Sequence, residues 1–255
     1  MWNWFKRSKE AHYEAQLAPI DMGLVAVDMH SHLLPGIDDG AEDMDRSIDL
    51  ILHLHAMGYR AAITTPHIFW DMYRNTTEGI RSNLSDVQKE LKARNIDFQL
   101  NAAAEYYCDE HFENLIERGD LLTFGKNHVL FEISFAAENA NMGRALFNMQ
   151  LAGYKPILAH PERYEYWHGN LAKYEQLVDR DVDLQLNITS LTGQYGPNVK
   201  RMSEKLIDAG LISFLGTDCH HMGHVQLTNT ARTNAALHKL IGSGKLKNRH
   251  LFESL

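Results

Sequence analysis

The feature that most constrains this chain is a rhythm. Seven times a short apolar run ends in polar or turn residues and gives way to a stretch with helical spacing. The runs read LVAVDMH (24–30), RAAITTPH (60–67), FQLNAAAEY (98–106), HVLFEIS (128–134), KPILAHPE (155–162), VDLQLNI (182–188) and ISFLGTDCH (212–220). Between the second and third runs, Ile80, Leu84, Val87 and Leu91 fall at i, i+4, i+7 and i+11, which predicts a helix over 78–94. Further helices are expected over 45–57, 139–152, 199–209 and 228–241, stopped by Gly58, Gly153, Gly210 and Gly242. Strands that alternate with helices imply parallel β/α units.

Seven such units without a linker-like break predict one α/β domain over 21–255, preceded by a separate segment over 1–20. A closed or nearly closed parallel barrel suits 255 residues better than an open sheet. No G-x-G-x-x-G follows the first run, and no G-x-x-x-x-G-K-[ST] occurs.

Composition then removes partners. A formal net charge of -8 without a Lys/Arg block argues against nucleic acid. Two cysteines without C-x-x-C spacing give no disulfide framework and point to a reducing, cytoplasmic setting. No stretch of about 18 apolar residues predicts a transmembrane helix. The start, MWNWFKRSKE, sets Trp2, Trp4 and Phe5 before Lys6, Arg7 and Lys9. It either folds back onto the domain or makes a weak contact with a membrane surface or partner.

In every run but the sixth, acids or histidines sit at the C-terminal end. They are Asp28, His30 and His32; His67; Glu105; Glu132; His160 with Glu162 and Arg163; and Asp218 with His220. In a parallel barrel these ends share one face, where active sites are built. Alternation along a strand would point Asp28, His30 and His32 the same way, and likewise Asp218 and His220. A single H-x-H is weak evidence, and the polar stretch around His30 reads equally as a solvated turn. Several imidazoles and carboxylates converging in one pocket are costly unless compensated, and divalent metal compensates them. His/Asp/Glu ligation without thiolate suits Mn, Fe or Zn, with room for more than one ion.

These motifs resemble the polymerase and histidinol phosphatase (PHP) superfamily. D-M-H-S-H-L-L-P-G-I-D-D-G, T-P-H, the isolated Glu105, F-E-I-S, A-H-P-E-R-Y and T-D-C-H follow in the family's order over residues 28–220. The long first motif together with H-P-E-R-Y is similar to the bacterial manganese-dependent tyrosine-protein phosphatases of capsule and exopolysaccharide clusters. The resemblance implies a distorted single-domain (β/α)7 barrel of the PHP type with two or three divalent ions, manganese first and iron or zinc as alternatives. It implies that His30, His32 and Asp218 hold one ion. Glu105 would bridge to a second that also uses His160, and His67, Glu132 and His220 would serve a third, with Asp39 nearby. Asp28 would orient an imidazole from behind, and Asp38 would only shape the loop.

The same resemblance assigns phosphate binding to Arg163 and implies metal-activated hydroxide attack on phosphotyrosine, carried by a protein such as the tail of a bacterial tyrosine kinase. Asp39 or His221 would act as general acid. Relatives often carry a further arginine after the last D-x-H, whereas here His221 and His224 come first and Arg232 follows later. His224 would then donate to phosphate in its place. A small-molecule PHP phosphatase of the histidinol phosphate type, or a non-catalytic metal-binding phosphotyrosine regulator, are the competing readings. A phosphocysteine mechanism needs an arginine six positions after the cysteine, but Asn114 follows Cys108 and Val225 follows Cys219 at that distance.

Overall fold

A computed structural model describes residues 17–252 of the chain. The aromatic-basic start lies outside these residues. Among the described residues, nine parallel-paired strands form: β1 (Val27–Asp28), β2 (Ala61–Thr64), β3 (His67–Ile68), β4 (Gln99–Ala102), β5 (Glu105–Tyr107), β6 (His128–Glu132), β7 (Lys155–Ala159), β8 (Asp183–Asn187) and β9 (Phe214–Gly216). Runs two and three each break once, so β2/β3 and β4/β5 are two halves of single passes. The breaks divide the ladder into a sheet β1-β2-β4 and a sheet β3-β5-β6-β7-β8-β9.

The ring closes beyond β9. Ser31 pairs in parallel with Cys219. Asp218 N donates to His30 O at 2.8 Å, and His32 N donates to Cys219 O at 2.9 Å. The result is the expected distorted seven-unit β/α barrel.

Side chains sort by the two faces of each strand. Val27, Ala61, Ile63, Leu130, Ile157, Ala159 and Phe214 fill the barrel interior. Ala62, Val129, Phe131, Leu158, Leu184, Leu186 and Leu215 pack outward in the larger cluster beneath the helices. Gln185 and Asn187 alternate with Leu184 and Leu186, so β8 turns two amides inward where its neighbours turn apolar groups.

The helices follow the apolar spacing closely. They are α1 (Met44–Ala56), α2 (Thr77–Ala93), α3 (Glu110–Arg118), α4 (Met142–Leu151), α5 (Leu171–Val178), α6 (Pro197–Asp208), α7 (Met222–Ala231), α8 (Ala235–Gly242) and α9 (Asn248–Leu251). Ile80, Leu84, Val87 and Leu91 are all buried on α2, as their spacing predicts. Asp43, Thr76 and Asp109 accept backbone N–H groups at the starts of α1, α2 and α3. One expectation fails: the single helix over 228–241 is two, α7 and α8. Asn234 accepts from Ala236 N at 2.8 Å and Leu237 N at 3.4 Å, starting a new helix where periodicity alone saw continuity. Among the described residues, no helix is long and apolar enough to cross a membrane.

Candidate metal centre

The strand ends converge as the barrel requires. Three overlapping groups each place one ligand atom per residue within 4.8 Å of the others: His30, His32, Glu105 and Asp218; His67, Glu105 and Glu132; and His32, Asp39, His67 and His220. Glu105 belongs to two of them, as do His32 and His67.

In the first group, His30 Nε2 lies 3.2 Å from Glu105 Oε2 and 3.4 Å from Asp218 Oδ1. His32 Nε2 lies 3.5 Å and 3.4 Å from the same two oxygens. His67 Nδ1 is 3.2 Å from Glu105 Oε2 and 3.5 Å from Glu132 Oε1. His160 Nε2 is 2.9 Å from Glu105 Oε1 and 3.8 Å from Glu132 Oε2. Asp39 Oδ1 sits between His220 Nε2 at 3.5 Å and His67 Nε2 at 3.6 Å.

The grouping differs from the expected partition: His160, though its Nε2 lies 2.9 Å from Glu105 Oε1, belongs to none of the three groups. Glu132 falls with Glu105 and His67, not with His220, whose carboxylate neighbour at the cavity mouth is Asp39. The backbone bends sharply at two of these positions: His160 and Asp218 have φ of 34° and 50°, conformations that non-glycine residues keep only when their surroundings enforce them.

Electrostatics match a cation site. Burial alone would lower the pKa of His30, but Glu105 and Asp218 more than offset it and raise it to about 8. Burial raises the Glu132 carboxyl well above its ordinary range, and the neighbouring Glu105 raises it further. Glu105 and Asp218 resist the same burial, because the surrounding imidazoles hold them well below it. Glu105 Oε2 and His67 Nδ1 are buried and make no hydrogen bond of good geometry. Buried donor atoms without hydrogen bonds, focused on common points and drawn from imidazole and carboxylate, fit divalent metal.

The supporting contacts correct two expectations. Asp28 does not orient an imidazole; it accepts from Thr217 N at 2.9 Å and Thr217 Oγ1 at 2.7 Å, tying the first strand to the last. Asp38 does more than shape its loop, because its Oδ2 accepts the Nδ1–H of His32 at 2.8 Å. Gln185 does the same for His30, whose Nδ1 lies 2.8 Å from Gln185 Oε1. Gln185 Nε2 then donates to Asn187 Oδ1 at 2.9 Å, and Asn187 Nδ2 to Asp218 Oδ2 at 2.6 Å. The sixth run, which carried no acid or histidine, therefore supplies the relay that fixes His30 and Asp218 with Nε2 and Oδ1 free. The alternation Gln-Leu-Asn in a buried strand was the available signal.

Above the ligands opens a cavity of about 580 Å³, walled by Phe69, Met72, Tyr73, Tyr107, Phe135 and Tyr195. Arg163 enters it and donates through NH1 to Asp218 Oδ2 at 3.3 Å. Arg232 does not: its Nε donates to Ile20 O at 2.7 Å and its NH1 to Asn229 Oδ1 at 2.9 Å. His221 and His224 both line the cavity but differ in what they offer. His221 Nδ1 accepts from Gly223 N at 3.1 Å, which leaves an Nε2–H when the ring is neutral. His224 Nδ1 lies 2.8 Å from Asp218 O and 3.3 Å from the backbone N–H of His220, and the shorter contact favours a proton on Nδ1. Burial lowers His224 to about 4, so it is neutral near pH 7 and brings no positive charge to a phosphate. Asp39 is held at about 2, first by His220, so it is an anion at neutral pH and not the proton donor expected of it.

The profile of the family described as "Capsular polysaccharide synthesis, CpsB/CapC" matches residues 26–248, a span that contains every ligand above. The chain belongs to the CpsB/CapC family. Relatives within reach of alignment include the tyrosine-protein phosphatase YwqE of Bacillus subtilis, 29% identical over 84% of this chain and 83% of its own length. The putative tyrosine-protein phosphatase CapC of Staphylococcus aureus is 26% identical over 76% of each chain. A solved structure from work on YwqE of Bacillus subtilis and CpsB of Streptococcus pneumoniae, described as unique metal-dependent tyrosine phosphatases, superposes with a TM-score of 0.77. It is 28% identical and covers 89% of this chain and 91% of that one. The lactonase Lmo2620 of Listeria monocytogenes shares the fold, with a TM-score of 0.52 at 12% identity over 92% of each chain.

Proposed function

We propose that this CpsB/CapC chain is a metal-dependent protein-tyrosine phosphatase. Its substrate would be a phosphotyrosine protein, the tail of a bacterial tyrosine kinase of capsule or exopolysaccharide synthesis. The observation that carries the reading is the stacking of functions in one cavity. Three ligand groups sharing Glu105, His32 and His67 form its floor, one guanidinium lies beside them, and aromatic side chains form its walls. Manganese is the expected ion, and iron or zinc accepts the same donors. Two buried cysteines suit a reducing, cytoplasmic setting.

His30, His32, Asp39, His67, Glu105, Glu132, His160, Asp218 and His220 would hold two or three ions. Divalent metal there supplies Lewis acidity toward a phosphoryl oxygen and lowers the pKa of water. The protein does the rest. Arg163, anchored on Asp218, turns its remaining N–H groups to non-bridging phosphate oxygens, a match of planar fork to oxyanion. A tyrosine leaving group has a pKa of about 10, so it needs only modest help from a donor. His221, whose Nε2–H is left free when the ring is neutral, would give it. A phosphocysteine route has no support: Cys219 is buried with its thiol pushed up, and burial pushes Cys108 to about 12.

The test is hydrolysis of a phosphotyrosine peptide with manganese present and after chelation. Metal-dependent turnover is expected. None would sink the phosphatase reading in favour of a non-catalytic regulator, and turnover of histidinol phosphate far above the peptide would move the chain to the small-molecule class.

A further inference from the structure

Among the described residues, Arg163 is the only arginine or lysine lining a cavity that also presents Asp39, Glu105, Glu132 and Asp218. A phosphate dianion entering there meets four carboxylates, and one guanidinium must be well placed to favour it. Three contacts hold that guanidinium in place. Its central carbon lies over two aromatic rings, 4.4 Å from the centre of Phe135 and 4.3 Å from the centre of Tyr195. Asp218 takes one edge. Arg163 also lines the cavity.

Tyr195 reaches this position by a bent loop. Gly193 and Gly196 flank it with φ of +85° and +95°, a left-handed backbone that residues with a Cβ rarely adopt. Gly193 N donates to Ser190 O at 3.3 Å, and Gly196 N to Gly193 O at 2.9 Å. Ser190 Oγ in turn donates to Glu162 Oε1 at 2.6 Å, and Asn187 N to the same oxygen at 3.0 Å. Glu162 precedes Arg163 in the chain, so the loop that carries the ring and the segment that carries the arginine are tied together.

We propose that Tyr195 and Phe135 are positioning residues that clamp Arg163 with their rings and present it to a phosphate monoester, so that Tyr195 sets phosphate affinity. The inference deepens the phosphatase reading and rests on it for the substrate. Two aromatic faces strip water from the guanidinium and attract its charge, while the fixed plane lowers the entropy lost when a phosphate docks.

The experiment is calorimetric titration of inorganic phosphate into the manganese-loaded full chain, alongside p-nitrophenyl phosphate kinetics. Y195L is expected to weaken phosphate binding and raise KM about 3- to 30-fold, the span of a cation–π contact, with metal content retained. Y195F, which keeps the ring face, should restore affinity to within about twofold of wild type. In an R163A background the Y195L change should have no further effect on phosphate binding, because the ring acts through the guanidinium. If Y195L does not fold, Y195Q removes the ring with a side chain suited to a half-buried loop and carries the same expectation. Unchanged phosphate affinity in the ring-less variant, equal losses with and without Arg163, or no phosphate binding by wild type each overturn the clamp. Phosphate binding without turnover overturns the catalytic reading alone, because the calorimetry reads the clamp directly.

Discussion

Gln185 accepts a hydrogen bond from His30 across 155 positions of sequence, with 2.8 Å between its Oε1 and His30 Nδ1. Both side chains are fully buried. The bond fixes the imidazole tautomer and its plane, leaving Nε2 to face Glu105 and Asp218. Replacing such an outer partner of a metal-binding histidine costs roughly 10- to 100-fold in metal affinity. Gln185→Leu is therefore expected to weaken manganese binding by about that factor while the protein stays folded. Competition with a chelator of known affinity, beside a thermal melt, measures both.

Glu105 is the carboxylate common to two ligand groups. Glu105→Gln keeps the shape but removes the charge that the imidazoles of His30 and His67 balance. The expected loss of manganese affinity exceeds the ~10- to 100-fold of an outer partner, and the number of ions retained per chain after dialysis should fall. Metal analysis that found wild-type content in this variant would remove Glu105 from the centre.

Protons and metal compete for the same atoms. His30, raised to about 8, is protonated at pH 7 in the metal-free protein. A ligand nitrogen must be free of its proton, so metal binding expels one there. The sign follows: manganese affinity should rise with pH through about 8, and His32, held well above its ordinary value by Asp38, must also give up a proton, so loading at pH 7 should release protons. The same shift acts oppositely on the metal-free fold. A histidine whose pKa is raised on folding adds stability below its ordinary value of 6.5, and that stability is lost as pH rises through about 8. Chelator competition across pH, with calorimetry in buffers of different ionisation enthalpy, reads both slope and proton count.

How far the sequence reveals this site depends on what each residue does. His30, His32, His67, Glu105, Glu132, His160 and Asp218 stand out because ligand-type residues recur at strand ends, a local pattern that barrel topology converts into a cluster. Gln185, Asn187 and Tyr195 carry no such mark. An amide in a strand looks like an ordinary polar residue until the fold shows it facing His30 rather than water. Asp38 and Asp39 are adjacent and chemically alike, and only the turn after Pro35 sends one behind His32 and the other to the cavity mouth. The break between α7 and α8 was hidden for a related reason: the apolar positions keep helical spacing across Asn234, and the cap is visible only in its bonds.

The thiols give a direct contrast between mechanisms. Cys108 and Cys219 are buried, and burial raises both above the ordinary thiol range. Thiolate is the reactive form, so both should resist alkylation in the folded protein. Prolonged iodoacetamide treatment is expected to leave phosphotyrosine hydrolysis intact. Cys108→Ala should keep turnover within about twofold, since this residue lies outside the cavity, with a stability loss of about 1 kcal/mol for its small buried side chain. Loss of activity in step with modification of one thiol, read by mass spectrometry, would return the cysteine route to consideration.

Gly216 shows how little space the site leaves. A Cβ added there would stand 2.6 Å from His30 Cβ and 2.7 Å from Gln185 Nε2. Neither neighbour has freedom to yield: His30 is buried against Glu105 and Asp218, and Gln185 is held at both ends of its amide. Gly216→Ala must therefore push the imidazole off its position or break the relay to Asn187. Overpacking of this kind costs about 1–3 kcal/mol in stability. Its effect on the metal should be larger in proportion, because both the ligand and its support move. The expected outcome is a folded protein with a lowered melting temperature and manganese affinity reduced at least as far as in Gln185→Leu. Combining the two substitutions should add little to the metal defect, since both act through the placement of His30. Fully additive losses would show that Gly216 serves the strand rather than the histidine.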